Sequence, residues 1–195
     1  MATMALRVVV ADDSLLVREG VVSLLQAAGF DVVAQAGDPE ALMDAVRAHR
    51  PDVAVVDIRM PPTHSDEGVR AARAIRAEAP GTGVLVLSQH VEEEYAVTLL
   101  SGSAEGVGYL LKDRVLDGRS LVTAVRQVAA GGSALDPEVV AQMLDRPREP
   151  GPLDRLSDRE RAVARQVSSI FAKLDLPAGA EGHRRVLAVL TYLRA

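Results

Sequence analysis

Five polar residues close apolar runs at points where their chemistry could combine. Asp12 and Asp13 follow VVVA, Asp57 follows VAVV, Ser88 follows VLVL, and Lys112 follows GYLL. Carboxylates brought close to one another repel unless a cation neutralises them, and a site of oxygen donors and water suits Mg²⁺ rather than zinc. A carboxylate beside such an ion can act as a nucleophile toward phosphorus, giving an aspartyl-phosphate. Lys112 and Ser88 would then hold phosphoryl oxygens, the positioning and charge stabilisation that phosphoryl transfer requires. Taken singly, each residue has an ordinary explanation: an aspartate pair caps a helix, a strand-ending serine makes a turn, and a lysine beside apolar residues extends its head into water. Their common position at the ends of different strands is what singles them out.

The elements that must position them are legible as an alternation. Leu6 to Ala11, Asp31 to Ala36, Asp52 to Asp57, Gly83 to Ser88 and Gly108 to Lys112 are apolar, β-branched-rich runs of strand length. Helical patterns lie between and after them. Ser14 or Asp13 is placed to cap Leu15 to Ala28, with Gly29 as its stop. Asp38 and Pro39 open a helix that ends near His49, before Pro51. Further helices are expected over about Asp66 to Ala79, Glu92 to Leu100 and Val115 to Ala130, the last closed by Gly131-Gly132. Apolar strands alternating with helices predict an α/β fold, a doubly wound five-stranded parallel sheet covered on both faces. In such a sheet ligands bind beyond the carboxyl ends of the strands, which is where the five polar residues stand.

Composition narrows the chemistry further. The 195 residues are 48% hydrophobic and 25% charged, as in a soluble globular protein, with only 3% aromatics, so the core must be aliphatic. The absence of cysteine excludes disulfides, thiolate metal sites and cysteine nucleophiles. The N-terminal apolar run is too short for a signal peptide and no run reaches membrane-spanning length, so a cytoplasmic location without membrane contact is expected. Charge is uneven: residues 1–145 carry a net of −9 and residues 146–195 a net of +4. An acidic body suits a cation site, and a basic tail suits nucleic acid. The other histidines and charge runs have plain readings. His49 ends a helix, His64 sits in a polar loop, His183 lies beside Arg184-Arg185, and Glu92 to Glu94 open a helix.

The segments VVVADDS, DVAVVDIRMPP, VLVLSQ and GYLLKD resemble the signature segments of the receiver domain of two-component response regulators, over about residues 4 to 131. The resemblance implies a flavodoxin-like fold with strand order 2-1-3-4-5 and Asp57 as the phosphoacceptor. It implies Mg²⁺ held by Asp12, Asp13, Asp57 and the backbone carbonyl of Arg59. Ser88 and Tyr109 would be the switch pair, the hydroxyl moving toward the phosphoryl group as the ring turns inward, and Lys112 would pair with the phosphate. Arg59 and His90 occupy positions that tune access to the phosphoaspartate. A sensor histidine kinase would be the donor and a homodimer would form on phosphorylation, so the chain is a phosphoacceptor with self-catalysed transfer and autodephosphorylation rather than an enzyme acting on a separate substrate. Two departures are visible. The loop RMPPTHSDEG is a few residues longer than in most receivers, and Asp113 follows Lys112 where many have proline.

After Gly131 the texture changes. Residues 132–155 read as a linker with one short helix, Asp136 to Leu144, and a stretch from Asp145 to Arg155 rich in proline. From residue 156, LSDRE resembles the start of a LuxR-type (NarL-like) helix-turn-helix domain, and RAVARQVSSIFAKLDL its later part. Arg159-Glu160 runs directly into Arg161-Ala162, so the scaffold helix and the start of the recognition helix are absent from the sequence. Residues 156–195 are therefore expected to be a remnant, or an incompletely represented form, of such a domain, a small all-α segment. Arg161 and Arg165 would be its DNA contacts. Two functional classes remain: a regulator that controls transcription through promoter DNA, and a receiver whose tail serves protein interaction or which acts as a phosphate sink.

Overall fold

The computed structural model describes residues 5–100, 103–115 and 117–145. The chain divides into two compact units, Met1–Arg146 and Pro147–Ala195, and every described residue belongs to the first. The expected helix-turn-helix remnant, with Arg161 and Arg165, and the proline-rich stretch after Asp145 lie outside the described residues.

The first unit runs β1 (Arg7–Ala11), α1 (Leu15–Ala27), β2 (Asp31–Ala36), α2 (Pro39–His49), β3 (Val53–Asp57), α3 (Glu67–Glu78), β4 (Gly83–Ser88), α4 (Glu93–Leu100), β5 (Val107–Leu111), α5 (Lys112–Val115), α6 (Gly118–Ala129), β6 (Ala134–Leu135) and α7 (Pro137–Asp145). All strand pairs are parallel, in the order β2-β1-β3-β4-β5-β6. The flavodoxin-like order of the first five strands is the one expected. The sixth strand corrects the count: two residues pair with Gly108 and Tyr109 at the open edge of β5. Such a strand is too short to show a period in the sequence. Residues 134–145, placed in a linker by the sequence reading, thus hold an edge strand and a helix whose Val139 is fully buried in the core.

Alternation within each strand divides the core between the two faces of the sheet. Val8, Val10, Val53, Val55, Leu85 and Leu87 pack against Val21 and Leu25 of α1 and Leu121, Val125 and Val128 of α6. Val9, Ala11, Ala54, Val56, Val84 and Val86 turn the other way, onto Leu42 and Val46 of α2, Ile75 of α3 and Leu99 of α4. Strands buried on both faces need apolar residues at every position, which is why they read as continuous runs.

Helix ends follow the local chemistry in most places. The Asp38 carboxylate accepts the Ala41 N–H at 2.8 Å, Pro39 starts α2, and Arg50 ends it in the left-handed conformation. Ser14 occupies the N-cap of α1 without a side-chain hydrogen bond, and its own N–H donates to Asp12 Oδ1 at 2.9 Å instead. The helix expected over Val115 to Ala130 is α6, which starts three residues later at Gly118, and a short unexpected α5 precedes it. The chain turns helical at Lys112 directly from β5, and α6 starts afresh behind Asp117, whose carboxylate accepts from Ser120 Oγ at 3.0 Å.

Candidate functional site

The carboxyl ends of β1, β3, β4 and β5 meet around a cavity of about 310 Å³ lined by Asp13, Asp57, Arg59, His64, Ser88 and Lys112, among others. Asp12, Asp57 and Ser88 are buried. The register that brings them together is fixed by backbone bonds just past the strand ends: Asp12 N–H donates to Ala36 O, and Ile58 N–H to Leu87 O, both at 3.1 Å. A close approach completes the arrangement on the far side of β3. Gly68, in the first turn of α3, donates its N–H to Ile58 O at 2.8 Å, and a Cβ there would lie 1.8 Å from the Asp57 carbonyl oxygen. Only glycine allows α3 to start so near the backbone of Asp57.

Lys112 bridges the buried carboxylates, with Nζ 2.8 Å from Asp12 Oδ2 and 2.9 Å from Asp57 Oδ2. Burial pushes the Asp57 carboxyl above its usual range, against the pull of the Lys112 ammonium. Burial also works against the charge of Lys112, but its hydrogen bonds to Asp12 and Asp57 outweigh that and its pKa is raised. The ammonium is thus firmly charged beside the carboxylates. Asp12, Asp13 and Asp57 each offer a carboxylate oxygen within 4.8 Å of the others. Three acidic oxygens with one ammonium for compensation form an acidic pocket that fits a hard divalent cation.

Ser88 and Tyr109, expected as a pair, converge on one acceptor. Ser88 Oγ donates to the His90 carbonyl at 2.6 Å and Tyr109 Oη to the same oxygen at 3.3 Å, while Tyr109 Oη accepts the Glu92 N–H at 3.2 Å. The Tyr109 ring is buried, and burial raises its pKa. His90 enters this network through its backbone, and its residue is exposed. Arg59 lies at the rim, where Nη2 pairs with Glu92 Oε1 at 2.8 Å and links the loop after β3 to the start of α4.

The sequence places His64 in a polar loop, and the structure brings it to the cavity, with Nδ1 3.3 Å from Asp13 Oδ2. The only signal in the sequence was the extra length of that loop. Glu67 sets the loop's shape. Its buried carboxylate accepts from the Thr63 N–H at 3.1 Å, the Ser65 N–H at 2.8 Å and the Thr63 hydroxyl. The Thr63 hydroxyl is the largest cause that holds the Glu67 carboxyl down at about 2, helped by the backbone N–H of Ser65.

A family model, the response regulator receiver domain, matches residues 8–126. The chain belongs to this family. The receiver is 38% identical over 140 residues to the transcriptional regulatory protein DegU of Brevibacillus brevis, covering 71% of this chain and 56% of that protein. To a protein named "Probable transcriptional regulatory protein NarL" of Mycobacterium tuberculosis it is 37% identical over 165 residues, 83% of this chain and 73% of the relative. Among solved structures, a LuxR-family two-component response regulator from Aurantimonas superposes with a TM-score of 0.63 at 28% identity, over 72% of this chain and 96% of that one. The chain therefore spans only part of the length of the DegU and NarL relatives. Among the described residues of the receiver, no helix is long and apolar enough to cross a membrane.

Proposed function

We propose that this receiver takes a phosphoryl group on Asp57 from the phosphohistidine of a sensor histidine kinase and uses it to control transcription. The observation that carries this reading is the Lys112 bridge between two buried carboxylates at the ends of β1 and β3, with Asp13 alongside. Asp57 must be ionised to attack. Burial resists that, and the Lys112 ammonium 2.9 Å away favours it. A carboxylate oxygen of Asp57 forms the new O–P bond as the P–N bond of the donor breaks, and the leaving imidazole retains the electron pair. Asp12, Asp13, Asp57 and the Arg59 carbonyl would hold Mg²⁺, which when bound supplies positive charge against the phosphoryl oxygens.

After transfer, Lys112 turns from Asp57 to a phosphoryl oxygen, and Ser88 Oγ leaves the His90 carbonyl to donate to another. The Tyr109 ring is already inward, so the rearrangement falls on the segment from Ser88 to Glu92 that both hydroxyls hold. Arg59, at the rim of the cavity, and His90 are the residues we assign to tuning the access of water. Autodephosphorylation returns the carboxylate. We assign the phosphorylated form to a homodimer in the cytoplasm.

The output is promoter DNA, supported by the names of the relatives, two of them transcriptional regulatory proteins, and by the resemblance of the tail to a LuxR-type domain with Arg161 and Arg165 on it. One sequence observation favours a second reading, a protein-interaction module or phosphate sink: Glu160 runs directly into Arg161 without the scaffold helix. Titrating labelled promoter DNA against the intact chain at two salt concentrations, with unrelated DNA as competitor, separates the two. Specific, competitor-resistant binding supports transcriptional control. Weak binding that disappears with salt, whatever the sequence, supports the second reading. For the receiver itself, borohydride reduction of the acetyl-phosphate-treated chain followed by peptide mapping should mark Asp57, and a mark on another carboxylate contradicts the assignment.

A further inference from the structure

We infer that His64 is a positioning residue for Asp13, orienting that carboxylate for the cation of the phosphoacceptor site; this rests on the reading of that site given above. The three carboxylates are not equally restrained. Asp12 is held by the Ser14 N–H at 2.9 Å and by Lys112 at 2.8 Å, and Asp57 by Lys112 at 2.9 Å. For Asp13, among the described residues, the one side-chain polar partner is His64, with Nδ1 3.3 Å from Oδ2. His64 thus meets one Asp13 oxygen from the loop side, and Asp13 offers an oxygen within 4.8 Å of one from each of Asp12 and Asp57.

The backbone presents His64 in one place. Its φ is +53°, its N–H donates to Met60 O at 3.0 Å, and its neighbours Thr63 and Ser65 are both tied to the buried Glu67 carboxylate. A left-handed conformation is uncommon for histidine, and here bonds on both sides of the residue hold it. The loop thus brings an imidazole to the carboxylate that, among the described residues, has no other side-chain partner. Partners that orient metal ligands typically contribute about 10- to 100-fold in metal affinity.

The test is Mg²⁺ binding to the full chain by titration calorimetry, in wild type, His64→Gly, His64→Asn and Asp13→Asn. Glycine keeps the left-handed backbone without the side chain, and asparagine also accepts that conformation while restoring a nitrogen donor near the position of Nδ1. The expected result is a Mg²⁺ dissociation constant raised about 10-fold in His64→Gly and within about twofold of wild type in His64→Asn, with urea midpoints alike in the two variants. An unchanged constant in His64→Gly, with binding lost in Asp13→Asn, overturns the role of His64 and leaves the acidic site standing. Equal weakening in His64→Gly and His64→Asn overturns it as well, since the donor would then not matter. Undiminished binding in Asp13→Asn overturns the inference together with the reading of the site beneath it.

Discussion

Lys112 bridges two buried carboxylates and offsets part of their charge, and its replacement exposes what that contributes. In Lys112→Met, Asp12 and Asp57 face each other without the ammonium, and the Asp57 carboxyl, already raised by burial, rises further. The variant should be less stable at neutral pH by roughly 1–3 kcal/mol, with a smaller deficit in acid where the carboxyls are protonated. Urea unfolding at the two pH values checks this, and equal deficits would contradict it. Asp12, Asp13, Asp57, Ser88 and Lys112 were legible because each ends an apolar strand, and a parallel sheet gathers such ends on one rim. His64 was not legible, because what carries it to the rim is the fold of its loop around the Glu67 carboxylate, which spacing does not encode. The acceptor shared by Ser88 and Tyr109 escaped for a related reason: it is a backbone carbonyl, and any residue at position 90 supplies one.

Around those residues, two elements are set by single contacts. Gly68→Ala would drive a methyl group against the Asp57 carbonyl oxygen, a backbone atom that cannot turn aside. Stability is expected to fall by roughly 1–3 kcal/mol or more, and phosphorylation to slow as the Asp57 backbone shifts. Wild-type midpoints in thermal unfolding would refute the close approach. The loop between β3 and α3 depends on Glu67, whose carboxyl is held at about 2 against an ordinary 4.5. A carboxyl with a depressed folded pKa adds stability that is complete above the unfolded value and is lost as pH falls through the folded one. Wild type should therefore lose stability between about pH 4.5 and 2 more steeply than Glu67→Gln, and parallel urea-derived curves over that window would count against the loop's anchoring. Strand positions and most helices followed from periodicity. The four-residue α5 did not, since Lys112–Val115 is too short to show a helical period.

For the molecule as a whole, the first unit extends to Arg146, beyond the Gly131-Gly132 pair that reads as a boundary. Turn residues mark the end of α6, but the folded unit continues because Val139 of α7 closes the apolar face that includes Leu99 of α4 and Tyr109 of β5. Val139→Ala should lower the stability of this unit by about 1–3 kcal/mol, the scale of uncovering a buried branched side chain. A change below about 0.5 kcal/mol, as for a surface residue in a linker, would contradict that packing. On the proposed function, the route from phosphate to output begins in this unit, at Asp57. Treating the full chain with labelled acetyl phosphate and Mg²⁺, in wild type and in Asp57→Asn, tests that most directly. The expected result is one acid-stable, base-labile phosphoryl group per wild-type chain and none in Asp57→Asn; undiminished labelling of Asp57→Asn would contradict it.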